Sequence, residues 1–320
     1  MDQIEMVSLN QLVPLNHNYR KFLNIWSFKF AAKELKKLDK GNPFKGYGLL
    51  KLFKCLILQF MEDLSDRQLE RFLQENNAAK LFVGFTLQEK TPDHSAFWRA
   101  RMRIGTSLLS KIFTDLRKQL KENGLMNETF SFVDASSLIA KANLWKERDV
   151  AIKEKYEKLN NEVLPKVAHD KEAKVGCKGK DKFWYGYKKH VSVDMQTGLI
   201  NKVAVTPANI TDSQGFKNVC PSKGIIYADK GYCGNRCKKE SLINGCELAA
   251  IKRNNMKGKN RDLDRFNSKL RSPYERVFSK QRKRTRYVGI VKNQFSCFME
   301  SLCFNLKRLL VLDVDGLYLN

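Results

Sequence analysis

Two short apolar runs, each ending in an aspartate, constrain this chain more than any other feature. Thr129-Phe130-Ser131-Phe132-Val133-Asp134 alternates at period two, and Gly224-Ile225-Ile226-Tyr227-Ala228-Asp229 is a continuous apolar run opened by glycine. Alternation at that period, and short apolar runs bounded by turn residues, both read as β-strands. Open α/β sheets bind ligands beyond the carboxyl ends of their strands, so an acid at a strand end lies where a site forms. Asp134 and Asp229 are therefore the first candidate site residues.

The rest of the chain reads as a helical region followed by an α/β region. Over residues 1–125, Asn18 to Leu38 carries a broken apolar periodicity that stops at Asp39-Lys40-Gly41. Leu49, Leu52, Phe53, Leu56, Ile57 and Phe60 form one apolar face of the next helix. Ser65 is placed to cap a third, with Leu69, Phe72 and Leu73 inward. A long helix is expected from about Ala96 to Asn123, made basic by Arg99, Arg101 and Arg103, with His94 as a cap or packing residue. A helix, a short turn and another helix in a basic chain fit a DNA-reading helix-turn-helix or a plain bundle.

After residue 125 the pattern changes to strands. A Lys- and Glu-rich insertion at about 141–186 is followed by a hairpin, His190–Asp194 with Leu199–Val205, and by a short helix at Asp212. The Ile225–Asp229 strand, a helix at about Asn235–Asn244, a strand over Cys246–Ile251 and a last helix at about Asn293–Leu310 complete the order. Asp194, at a turn, reads as bonding its own backbone.

The charge points to the partner. With 59 Lys and Arg against 34 Asp and Glu, the chain carries a formal +25, and fifteen of those cations stand between Lys252 and Lys292 against three acids. An excess of that size favours a polyanion, because each neutralised phosphate releases counterions. With 42% hydrophobic residues the chain can bury a core. Met1-Asp2-Gln3-Ile4-Glu5 shows no secretory signal, and no apolar run is long enough for a membrane span, so a cytoplasmic, nucleoid-associated protein with reduced thiols is expected. Cys233 and Cys237 lack a second ligand pair at finger spacing, so they are not read as a zinc site.

Glu275 is the one acid between Asp264 and Lys292. It could complete a carboxylate triad with Asp134 and Asp229, or it could close a capping box with Ser272, with Pro273 at the first helical position. The physical case for a triad is that Mg²⁺ takes carboxylates, waters and substrate phosphate. Two such ions about 4 Å apart can activate the attacking oxygen and stabilise the leaving one.

Phe132-Val133-Asp134-Ala135-Ser136, Tyr227-Ala228-Asp229-Lys230-Gly231-Tyr232, and Glu275 upstream of Arg282-Lys283-Arg284 resemble the DDE transposases of bacterial insertion sequences. Gly179 to His190 is similar to the segment leading into their second strand. Leu64-Ser65-Asp66-Arg67-Gln68-Leu69 and Thr91-Pro92-Asp93-His94-Ser95 are similar to parts of their helical domain. The resemblance implies an RNase H-like mixed sheet flanked by helices, preceded by an all-α DNA-binding domain, with a boundary at 125/126 and a catalytic domain over 126–320. It implies Asp134, Asp229 and Glu275 as catalytic metal ligands for two Mg²⁺ (or Mn²⁺) ions. It also implies cleavage at the element's ends and joining of the 3′-hydroxyl to target DNA, by a homo-oligomer on double-stranded DNA. Of the relatives' Tyr-x2-Arg-x3-Glu-x6-Lys signature, Arg271 and Glu275 fit, while Ser268 and Arg282 stand at the Tyr and Lys positions. Lys230, Tyr232, Arg271, Arg282, Lys283, Arg284 and Arg286 are the candidate DNA contacts. A catalytically silent DNA-binding protein, or a nuclease that cuts without joining, are the alternatives.

Overall fold

The computed structural model describes residues 7–39, 46–140, 168–178, 182–275, 277 and 281–312. Two compact units emerge, Met1–Asn123 with Leu302–Asn320, and Gly124–Ser301. The described elements of the first begin with helices α1 (Leu9–Leu12), α2 (Asn18–Ile25), α3 (Lys29–Asp39) and α4 (Leu49–Met61). Helices α5 (Asp66–Glu75), α6 (Asn77–Val83) and α7 (His94–Glu122) follow.

An aromatic core holds this first unit. Trp26, Phe28, Phe53 and Phe82 are buried, with the Trp26 and Phe28 ring centroids 4.2 Å apart. Phe28 adopts φ 59°, a left-handed conformation costing an L-residue roughly 1–2 kcal/mol, and so splits the expected Asn18–Leu38 helix into α2 and α3. Burial of its ring beside Trp26 and Phe82 offsets that cost. Ser65 caps α5 as its sequence implies. Its Oγ accepts the Gln68 N–H at 3.3 Å, and Gln68 Oε1 accepts the Ser65 N–H at 2.8 Å. Helix α7 is capped by Asp93 and is broken at Gly105 (φ 63°); His94 Nδ1 instead lies 3.0 Å from Glu70. Arg101 pairs with Asp66 at 2.5 Å, and Arg103 with Asp39 at 3.6 Å. Those two arginines tie helices together.

The second unit is a six-stranded mixed sheet. Its strands are β1 (Phe130–Ile139), β2 (Lys174–Lys178), β3 (Lys182–Asp194), β4 (Ile200–Pro207), β5 (Gly224–Ala228) and β6 (Cys246–Ala250). Their order is β2-β3-β1-β5-β6, with β4 also on β3. Strands β1, β2 and β4 run antiparallel to β3, whereas β5 lies parallel to both β1 and β6. This is the RNase H-like arrangement. Helices α8 (Asp212–Gly215), α9 (Asn235–Ile243), α10 (Arg261–Arg271) and α11 (Ile290–Val311) accompany it. Val133, Ile226 and Ala228 pack with Phe216, Tyr232 and Cys237, while Phe132 meets the Tyr274 ring at 6.3 Å.

Part of the expected insertion at 141–186 is sheet. Lys174–Lys178 form β2, and β3 starts at Lys182, not His190. Tyr185 and Tyr187 alternate into the interior, where both are buried, and this aromatic alternation makes the strand. Residues 141–167 and 179–181 lie outside those described. Asp194 is buried and accepts the N–H groups of Glu128, Gln196 and Thr197, a structural turn. Helix α11 contributes to both units, since Leu302, Cys303, Leu306 and Leu309 are buried and Cys303 Sγ lies 3.5 Å from the Ile57 carbonyl. The second unit ends at Ser301.

Lys189 (1% exposed) and Glu300 (11%) form an ion pair at 2.5 Å inside the second unit. Glu300→Ala leaves a buried ammonium uncompensated and is expected to cost about 3–5 kcal/mol in urea unfolding. Lys189→Met combined with Glu300→Leu is expected to be no less stable than the parent.

His190, buried in β3, bonds the Thr206 hydroxyl through Nε2 at 2.8 Å. Burial pushes its imidazole down from 6.5 to about 4, with Asp212 opposing and Lys188 adding to the shift. Between those values the unfolded chain binds more protons than the fold, so stability falls as pH drops through the window, by about 3 kcal/mol in full. Asp134, whose carboxyl is pushed up to about 6, contributes the opposite slope over the same window, so the test is a difference. Relative to the parent, His190→Gln is expected to gain stability as urea midpoints are taken from about pH 7 to 5.5 and 4.5, and an unchanged difference would refute the assignment.

Candidate active site

Parallel pairing of β1 with β5 runs from Phe130↔Ile225 to Val133↔Ala228. Asp134 and Asp229 are the next residues of the two strands, so their adjacency follows from backbone register. Strand β5 stops there, whereas β1 continues to Ile139 against β3. Asp134 is therefore not the last residue of its strand, as expected, but the first beyond the parallel partner. Asp229 opens a 3₁₀ turn, Lys230–Tyr232, and its carbonyl accepts the Tyr232 N–H at 3.0 Å.

Asp134 is half-buried, and one carboxylate oxygen accepts the Ala135 N–H at 2.8 Å. Burial pushes its carboxyl up to about 6; the Ala135 N–H, Arg271 and Lys178 pull it down, and Asp212 adds to the rise.

Glu275 arrives from the helical side. Asn260 caps α10, accepting the N–H groups of Asp262 and Leu263 at 3.1 Å. The helix passes directly into a 3₁₀ turn, Ser272–Tyr274, and Ser272 has helical dihedrals (φ −53°, ψ −41°). An N-cap needs extended backbone, so the capping-box reading of Ser272 and Glu275 fails. Tyr274 fastens this end to the sheet, its ring against Phe132 and its hydroxyl donating to the Met195 carbonyl.

Arg271 joins the acids. Its guanidinium lies 3.1 Å from Glu275 Oε1 and 3.9 Å from Asp229 Oδ1, and its charge acts on Asp134. At 15% exposure it is occupied by carboxylates, which corrects its expected place on a DNA backbone. Asp229 (48% exposed) and Glu275 (52%) stay open to solvent.

Among the described residues, no three Asp, Glu, His or Cys side chains gather closely enough to hold a metal ion. The oxygen-only donor set of Asp134, Asp229 and Glu275 suits a hard ion such as Mg²⁺ or Mn²⁺ in chemistry. Cys233 Sγ lies 3.1 Å from the Lys230 carbonyl and 3.3 Å from Met256 Sδ, and Cys237 is in the core.

Of the expected DNA contacts, Lys230, Lys283, Arg284 and Arg286 are exposed and Arg282 is half-buried. The Ile139 N–H donates to the Lys283 carbonyl at 2.8 Å, and the Thr285 N–H to the Ile139 carbonyl at 2.9 Å. The basic segment is thereby fixed to the far end of β1, roughly 16 Å along the strand from Asp134. Tyr232 is a correction. Its side chain is fully buried, 5.8 Å from the Phe216 ring, because the 3₁₀ turn folds it back into the core, and it does not reach a DNA backbone.

One acid escaped the sequence reading. Asp212 opens α8 behind its Thr211 cap, as its local pattern implies. Its carboxylate also pairs with Lys188 at 2.9 Å, and a Cβ at Gly231 would stand 3.3 Å from its Oδ2. That places it against the turn after Asp229, a long-range contact with no local signature.

Residues 132–306, more than half the chain, match the family described as Transposase DDE domain, and residues 7–103 match Transposase domain (DUF772). No solved structure matches the chain. Among the described residues no helix is long and apolar enough to cross a membrane. With its mixed sheet and its acids inside the matched span, the chain belongs to the DDE transposases, enzymes of the polynucleotidyl transferase and endonuclease type that act on DNA and generally use divalent metal ions.

Proposed function

We propose that Asp134, Asp229 and Glu275 are the catalytic carboxylates of a transposase that cuts the ends of its element and joins them to target DNA. The observation that carries this reading is the Arg271 junction, where one guanidinium touches both Asp229 and Glu275 and acts on Asp134. An acid from the end of the sheet and one from the end of a helix share that neighbour, and its charge also reaches Asp134.

In the first step water attacks a phosphodiester, one P–O bond forms as another breaks, and a 3′-hydroxyl is released. In the second that hydroxyl attacks a target phosphodiester, again exchanging one P–O bond for another. Asp134, Asp229 and Glu275 would hold two divalent ions, Mg²⁺ or Mn²⁺, which would supply activation of the attacking oxygen and stabilisation of the leaving one. The chain's own residues do the rest. Arg271 offsets the repulsion between Asp229 and Glu275. Lys230, Lys283, Arg284 and Arg286, with Arg282, hold backbone phosphates, which fixes the position of the duplex without reading its sequence. The helical unit carries recognition of the element ends, and a homo-oligomer holds two ends together.

Asp229→Ala is expected to abolish Mg²⁺-dependent strand cleavage while DNA affinity in gel-shift titrations stays within about threefold, since the cations supply the phosphate contacts. Retained cleavage would sink the triad. Replacing Arg282, Lys283 and Arg284 together by Ala is expected to weaken binding to all duplexes alike and to lower the salt slope by about 2–3. A loss confined to one sequence would mean that these side chains read bases.

A further inference from the structure

Strands β1, β5 and β6 run parallel, and the ladders joining them end along one edge of the sheet. Edges made of parallel carboxyl ends are where such sheets bind ligands. Strand β1 brings Asp134 to this edge and β5 brings Asp229. Strand β6 brings two cations of the basic segment, Lys252 and Arg253. Its ladder with β5 ends at Ala228↔Ala250, and the Ile251 N–H still donates to the Ala228 carbonyl at 3.2 Å. The chain therefore leaves β6 beside the turn that follows Asp229.

The two side chains part there. Lys252 serves its own loop, its Nζ donating to the Gly258 carbonyl at 2.7 Å. Arg253 reaches the site turn. Its Nε donates at 3.3 Å to the carbonyl of Lys230, the residue directly after Asp229, and the Cys233 thiol meets the same oxygen at 3.1 Å. The loop is closed on that turn as well. The Met256 N–H bonds the Arg253 carbonyl at 3.2 Å, and Met256 Sδ lies 3.3 Å from Cys233 Sγ. Arg271 is occupied by Asp229 and Glu275, whereas Arg253 is exposed and no described carboxylate pairs with it. A guanidinium carries its five N–H donors in a rigid fork, so a bond through Nε orients the group and leaves the terminal N–H groups to a ligand.

We propose that Arg253 is a substrate-contacting residue of the cleavage reaction, its terminal N–H groups binding a non-bridging oxygen of the phosphate held at Asp229. Attack on phosphorus gathers negative charge on those oxygens, and a donor already fixed beside them stabilises it without reorganising. Asp229 and Glu275, both open to solvent, repel an incoming phosphate, and a cation fastened to the turn after Asp229 offsets that repulsion where it arises. The inference rests on the triad reading above.

The test is Arg253→Ala in the full chain, on a duplex carrying the element's end. Mg²⁺-dependent cleavage is expected to fall about 100-fold in kcat. Gel-shift affinity is expected to stay within about threefold, since one phosphate contact among many is lost. The thermal midpoint is expected to hold, because the side chain is exposed. A second arm places a phosphorothioate of either configuration at the cut. One isomer puts sulfur toward Arg253 and is expected to slow the parent while slowing Arg253→Ala no further. Cleavage by Arg253→Ala at the parent rate would overturn the proposal, as would equal sulfur effects in both proteins for both isomers. A lowered midpoint would overturn it too, since the arginine would then be serving the fold. Asp229→Ala run alongside separates the two ideas. If it still cleaves, the triad and this inference fall together; if it is inactive while Arg253→Ala matches the parent, this inference alone falls.

Discussion

Parallel strands lie about 4.8 Å apart, and the ladder joining β1 to β5 brings Asp134 and Asp229 to the same height one residue past its last pair. Two full charges at that separation repel by about 3 kcal/mol at an effective dielectric near 20. Backbone hydrogen bonds impose the proximity, so the relief has to come from elsewhere. It comes in two forms. Asp134, the more enclosed acid, has its carboxyl pushed upward by burial, which favours the neutral form. Asp229, half exposed, keeps contact with water and with Arg271.

The route of β1 past Asp134 serves a second purpose. Because β3 continues to pair with it as far as Ile139↔Gly186, β1 carries an edge on which residues 283–285 are hydrogen-bonded. Exposed Lys283, Arg284 and Arg286 are thus attached to the strand that carries an acid. The Asp170 carboxylate, which accepts both the Tyr187 hydroxyl and the Gly289 N–H, fixes the far end of that segment. A basic segment held on the same strand as Asp134 keeps a constant distance from it, which is what the proposed function would require for positioning a duplex for in-line attack.

What could be read from the sequence were features that depend on neighbours a few residues away. The apolar runs into Asp134 and Asp229, the Ser65 cap and the turn bonding of Asp194 were all legible in this way. What escaped depends on partners far along the chain. Strand β1 does not stop at Asp134 because β3 pairs beyond it, and β3 begins early because Tyr185 and Tyr187 find a buried face. Ser272 and Glu275 have capping-box spacing, but α10 is already running when it reaches them, so the local signal was true in form and wrong in context. Tyr232 follows Asp229 by three residues and looked like its outward companion. A single 3₁₀ turn sends it to the opposite environment.

Arg271 and Glu275 are one helical turn apart, so their ion pair is local to the end of α10, whereas Asp229 belongs to the sheet. A planar guanidinium presents donors in several directions at fixed angles and can meet two carboxylates at once; an ammonium offers a single point of charge. The arginine at this position therefore does what a lysine would do poorly, holding a helix-borne acid within reach of a sheet-borne one. Tyr274 and Phe132 fix where the helix ends, and the ladder fixes where Asp229 stands, so the guanidinium links two points already set. The same contact neutralises part of the charge of Asp229 and Glu275, and under the proposed function a divalent ion on these acids would compete with Arg271 for the same oxygens. Under that reading one side chain sets the assembly of the site against its affinity for metal.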